Sequence, residues 1–72
     1  MQNSIRQRRK QLKISQEELA KLTEVTRQTI LAVENDKYDP SLRLAFLLAD
    51  ELNTTVDDLF EFNREMGKKD DF

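Results

Sequence analysis

Arg27 and Gln28 are neighbours in the chain, and Leu31 follows one helical turn later. An arginine can donate twice to O6 and N7 of guanine, a glutamine can grip N6 and N7 of adenine, and a leucine can pack on the methyl group of thymine. Together they are side chains for reading base edges, provided that they share one face of a helix. Ile30 and Val33 supply the opposite face: placed inward at about 100° per residue, they turn Arg27, Gln28 and Leu31 outward. Ordinary exposure on an amphipathic helix is the competing reading of all three. Little else in the chain points to chemistry. His is absent, which removes the commonest general base and metal ligand; Cys is absent, and a single Gly leaves no glycine-rich phosphate loop. No nucleophile is paired with a base, so no enzyme, metal centre or cofactor is expected.

A reading helix needs partners to hold it. Ser15-Gln16-Glu17-Glu18 has the form of a capping box and predicts a helix from Gln16 to near Thr23, carrying Leu19, Ala20 and Leu22. Thr26 can cap the next helix, with Val25 packed just before it, so only three residues separate the two. Helices joined by so tight a turn must cross at a large angle, which makes residues 16–35 a candidate helix-turn-helix. Its inward positions, Leu19, Ala20, Val25, Ile30 and Val33, are all apolar, and Ala20 is small where a larger side chain would push the second helix away. Upstream, Ser4-Ile5-Arg6-Gln7 has the form of another capping box and predicts a helix over about residues 5–12. Downstream, a polar connection from Asn35 to Pro40 leads to a helix capped by Ser41 and running from Leu42 to Leu52, with Asn53 suited to a left-handed stop. Residues 55–60 read as a short fifth helix with Asp57 and Asp58 in its first turn, where the helix dipole favours acids. The alternation Phe60-Glu61-Phe62 leaves room for a short strand paired with the first residues. The fold class is all-α with five helices.

Seventy-two residues allow one small domain, since a chain of this size hides only about 60 % of its unfolded surface. Apolar residues at 38 % and charged residues at 36 % fit a globular chain, and no apolar run approaches the roughly 20 residues of a membrane span. The opening Met1-Gln2-Asn3-Ser4 has no apolar leader, so a cytoplasmic location is expected. The net charge of −2 hides a polarity: residues 1–43 hold nine bases against six acids, and residues 44–72 hold three against eight. A basic face with an acidic back would orient the domain toward phosphate, although on charge alone a solvated face around Arg6 to Lys13 fits equally well.

The segments Ser15-Gln16-Glu17-Glu18-Leu19-Ala20, Thr26-Arg27-Gln28-Thr29-Ile30, Glu34-Asn35, Lys37-Tyr38-Asp39-Pro40-Ser41-Leu42 and Asp57-Asp58-Leu59-Phe60 resemble, in order and over about residues 5–60, the Xre/Cro family of prokaryotic and phage transcriptional regulators. The resemblance implies a five-helix lambda-repressor-like DNA-binding domain over residues 5–60, a C-terminal tail over 61–72, and a major groove read by the second helix of the motif. It makes Arg27, Gln28 and Leu31 the base-reading residues. It places Ser15 and Gln16 at a phosphate by the start of the motif's first helix, with Gln16 as the clamp, and adds Thr26, Thr29, Asn35, Lys37 and Tyr38 as contacts to the DNA backbone, which position the domain without carrying sequence information. Arg9 and Glu34 match a pair that ties the first helix to the end of the third, a structural role, with a solvated Arg9 near phosphate as the alternative.

Three departures from the family pattern matter. Glu24 stands where relatives commonly have Gly, and a non-glycine residue held left-handed costs roughly 1 to 2 kcal/mol. Leu31 replaces a residue that is often polar. Leu44 and Leu47 fall off the expected inward stripe of Leu42, Ala45, Ala49 and Leu52, which leaves surplus apolar surface. With Phe60 and Phe62, that surplus is the basis for expecting a homodimer, which would bind a near-palindromic double-stranded operator with half-sites about 34–36 Å apart. No membrane or small-molecule partner is expected. Two rival functions remain: an antitoxin-type regulator that also binds a partner protein, and a helical interaction module without DNA binding.

Overall fold

The computed structural model describes residues 1–61. Along them run β1 (Gln2–Asn3), α1 (Ile5–Gln11), α2 (Gln16–Leu22), α3 (Arg27–Glu34), α4 (Leu42–Glu51), α5 (Val56–Leu59) and β2 (Phe60–Glu61). The strands pair antiparallel, Gln2 opposite Glu61 and Asn3 opposite Phe60, so the two ends of the domain close on each other. Glu61, expected to open the tail, is part of that ladder; residues 62–72, and with them Phe62, lie outside the described residues. No helix among the described residues is long and apolar enough to cross a membrane.

Side-chain oxygens start four of the helices. Ser15, Thr26, Ser41 and Thr55 each accept the amide three residues on, from Glu18, Thr29, Leu44 and Asp58, at 3.0–3.2 Å. The expected cap at Ser4 does not form. Asn3 Oδ1 takes the Ile5 amide at 3.0 Å instead, while the Ser4 hydroxyl accepts from Arg8 Nε at 2.9 Å. The Asn3 amide also donates to the Val33 carbonyl at 2.8 Å, which pins the first strand to the last turn of α3.

One device ends the first four helices. Lys13, Glu24, Asp36 and Asn53, each just past a C-cap, have positive φ of 57–63°. The next residue's amide then reaches back into the last turn, Ile14 to Arg9, Val25 to Ala20, Lys37 to Ala32 and Thr54 to Ala49, at 2.9–3.0 Å. None of the four is glycine, so each carries part of the roughly 1–2 kcal/mol left-handed penalty, with Asn53 and Asp36 the best tolerated. Glu24→Gly should therefore stabilise the domain by about 0.5–1 kcal/mol, the relief of strain less the added freedom of the unfolded chain. The Arg43 contact to Glu24 at 3.2 Å subtracts little, since both side chains are largely exposed. A thermal midpoint that fails to rise would show that the turn accepts Glu24 without strain.

The core joins Ile5, Leu19, Ala20, Ile30, Val33, Leu44, Ala45, Leu48, Ala49, Leu52, Leu59 and Phe60, with Ile14, Val25 and Val56 packed at its edge. In α4 the inward arc differs from the expected one. Leu42 is 72 % exposed and Phe46 59 %, whereas Leu44 and Leu48 are buried. An arc centred on Leu48 gathers Leu44, Ala45, Ala49 and Leu52 around it, more apolar volume than an arc phased on Leu42, and burial decides the rotation of the helix. Leu44 and Phe60 thus belong to the domain's own core and are not the surplus that a partner would cover; Leu47 is half-buried. The apolar surplus of α4 is Leu42 and Phe46.

Candidate nucleic-acid interface

The pairing of α2 with α3 sets the interface. Leu19 and Ile30 have no exposed surface, Val33 has 1 % and Ala20 3 %, so the small Ala20 lets the two helices approach closely. Thr23 is buried in the turn, where its hydroxyl donates to the Leu19 carbonyl at 2.8 Å and needs no water. With one side of α3 committed to this contact, Arg27 and Gln28 stand exposed on the other, and Leu31 beside them is 37 % exposed. Among the described residues neither Arg27 nor Gln28 makes a side-chain hydrogen bond to the protein. Thr26 is exposed and Thr29 half-buried, and their hydroxyls lie 3.1 Å apart.

Polar groups flank this face. At the start of α2, Ser15 caps the helix and Gln16 donates from Nε2 to Glu34 Oε1 at 3.1 Å. That bond uses one of the two amide hydrogens and leaves the other. Beyond α3, Asn35, Lys37 and Tyr38 are exposed, Tyr38 by 53 %. Asp36 and Asp39 stand in the same loop, and the Met1 ammonium contacts both carboxylates, at 3.1 Å from Asp39, which offsets acid charge next to Lys37. The Asp36 and Asp39 hydrogen bonds raise the ammonium above its usual 8.0.

Behind the face lies an ionic junction. Glu34, the last residue of α3, has no exposed side-chain surface; Oε2 accepts from Arg9 Nε at 2.7 Å, and Oε1 lies 3.5 Å from both Arg9 Nη2 and Arg6 Nε. Arg9 also donates to the Ile14 carbonyl at 3.0 Å, so one guanidinium joins α1, the loop that follows it and the end of α3. Burial pushes the Glu34 carboxyl up, but the hydrogen bonds from Arg9 and Gln16, the Arg9 charge and the Arg6 bond outweigh it and hold the group below its ordinary 4.5. Arg6 Nη2 further donates to Asn35 Oδ1 at 2.8 Å. Arg6 is the residue that sequence reasoning did not single out; its only signal was membership of the basic run on the first helix, which says nothing of a partner 29 residues away.

The chain matches the helix-turn-helix family over residues 5–59. It is 46 % identical over 65 residues, 90 % of its length and 93 % of the relative's, to an uncharacterised HTH-type transcriptional regulator of Archaeoglobus fulgidus. A second such regulator, from Methanothermobacter thermautotrophicus, is 44 % identical over 69 residues and is covered in full, with 94 % of this chain aligned. Among solved structures, the DNA-binding domain of the P22 C2 repressor superposes with a TM-score of 0.71 at 33 % identity, over 82 % of this chain and 84 % of that one. Five helices around a tight helix-turn-helix, closed by a two-stranded ladder, and relatives aligned over nearly their whole length place the chain in the Xre/Cro-like family of helix-turn-helix transcriptional regulators, which are not enzymes.

Proposed function

We propose that the chain binds double-stranded DNA sequence-specifically as a small dimeric repressor, with α3 lying in the major groove. One observation carries the reading: Arg27, Gln28 and Leu31 share the exposed side of a helix whose opposite side is locked against α2, with Gln16 before that helix and Lys37 and Tyr38 after it. A helix about 10–12 Å across fits a groove about 12 Å wide. Arg27 and Gln28 would read base edges, Leu31 would pack on a thymine methyl, and Ser15, Gln16, Thr26, Thr29, Asn35, Lys37 and Tyr38 would set the register on phosphate.

The dimer follows from specificity. Three reading side chains at about 1–3 kcal/mol per base pair supply about 3–9 kcal/mol and do not reach the top of the roughly 4–10 kcal/mol that separates specific from non-specific binding, whereas two copies on a near-palindromic site double the contribution and cover the whole range. Leu42 and Phe46 are the exposed apolar pair on α4 available for such an association. The repressor role rests on likeness to the C2 repressor domain.

Selection of bound duplexes from a random pool, followed by a salt titration on the winner, tests the proposal. It should return two inverted half-sites, with affinity falling by about 0.9 log units per log unit of salt for each phosphate neutralised. No enrichment and no salt-dependent duplex affinity would overturn it in favour of a protein-interaction module; a single half-site bound by a monomer would overturn the dimer alone.

A further inference from the structure

We propose, on the DNA-binding reading above, that Glu34 is a positioning residue for the phosphate-facing groups: one buried carboxylate holds the Gln16 carboxamide and the Arg6 guanidinium, and through Arg6 the Asn35 side chain, in the poses that meet the DNA backbone. Arg9 supplies the main counter-charge, bonded at 2.7 Å to Oε2. The other oxygen is turned toward groups at the protein surface, Gln16 Nε2 at 3.1 Å and Arg6 Nε at 3.5 Å, the latter on a side chain 52 % exposed. Exposed Gln and Arg side chains ordinarily sample several rotamers, and ordering them at the moment of binding weakens association. Here the ordering is done during folding.

Donor counting shows what the poses leave over. Gln16 keeps one amide hydrogen after its bond to Glu34, and Arg6 keeps most of its five. Asn35 accepts from Arg6 through Oδ1 at 2.8 Å, which fixes the direction of its carboxamide and leaves both Nδ2 hydrogens unused among the described residues. Three donor groups, from α1, from the start of α2 and from the end of α3, are thereby oriented by a single anion that DNA never touches.

The test uses the full chain and the selected duplex, with affinity read by fluorescence anisotropy across a salt series and folding checked by circular dichroism. Glu34→Gln should weaken binding about tenfold and lower the salt slope by about 0.9 for each phosphate that is no longer neutralised. Combined with Gln16→Ala it should be no weaker than the weaker-binding single variant, whereas combined with Arg27→Ala the losses should multiply. Glu34→Asp, which keeps the charge for Arg9 but shortens the reach, should also lose affinity at an unchanged fold. In the unaltered free protein, the Gln16 side-chain amide should exchange with solvent about tenfold more slowly than that of the exposed Gln2, a readout that does not depend on any variant folding. Equal exchange rates, multiplying losses for Glu34→Gln with Gln16→Ala, or a folded Glu34→Gln of full affinity would each overturn the positioning role. If the unaltered chain bound no duplex, the DNA-binding reading would fall and this one with it, which the other outcomes do not produce.

Discussion

Arg9→Met should destabilise the domain by about 3–5 kcal/mol, because it leaves the Glu34 carboxylate buried without its main counter-charge. A small domain holds only some 5–15 kcal/mol in all, so this one methionine should move the urea midpoint by a large fraction of its value. The size of the effect depends on asymmetry. Arg9 is bonded at 2.7 Å and nearly buried, while Arg6 at 3.5 Å is half in solvent and cannot take over. Changing both members, Arg9→Met with Glu34→Leu, should recover most of the loss, since a buried pair replaced by apolar groups of similar volume is commonly neutral. The recovered protein should still bind duplex poorly, because Gln16 and Arg6 have lost the group that orients them. Acid should act in the same direction. The Glu34 carboxyl is lowered in the folded state, so its contribution is complete above the ordinary 4.5 and is lost as pH falls through the lower folded value. The double variant lacks this acid-sensitive step. Should Arg9→Met stay within about 1 kcal/mol of the parent, the junction is not holding the fold together.

The features that were legible in the sequence are those that depend on near neighbours. Ser15, Thr26 and Ser41 each cap a helix because a short oxygen-bearing side chain reaches an amide only three residues away. The five apolar positions of the helix pair were readable because a 3.6-residue period repeats over two turns. Ser4 misleads by the same rule: the spacing is right, but Asn3, drawn in by the Val33 carbonyl, takes the Ile5 amide. In α4 the run Leu44 to Ala49 is unbroken apolar, so the choice between an arc phased on Leu42 and one phased on Leu48 rests on which gathers more apolar volume, and that is the Leu48 arc, packed against α2 and α5. Lys13 and Asp36 adopt the left-handed stop although neither is the glycine that signals it, and only Asn53 and the glycine position held by Glu24 could be anticipated. The bond from Gln16 to Glu34 spans 18 residues and exists because α3 folds back on α2, a fact of packing with no local signature.

Gln28→Ala should cost about 1–3 kcal/mol on the preferred duplex and flatten the preference at one base pair of each half-site, while leaving affinity for random duplex nearly unchanged. Arg27→Ala should do the same at a different base pair, with an added general loss because its positive charge also attracts phosphate. Lys37→Ala supplies the contrast: an exposed cation in the loop after α3 should weaken all sequences alike and reduce the salt slope by about 1. The pattern follows from geometry. Ile30 and Val33 fix the rotation of α3, so a side chain on its far side is aimed by the core of the protein rather than by its own rotamer preferences. Selection repeated with each variant reads the outcome base by base. A Gln28→Ala protein that returns the parent's motif with every position intact would mean that α3 faces the groove by another edge, and Arg27 and Leu31 would then lose their assignment as well.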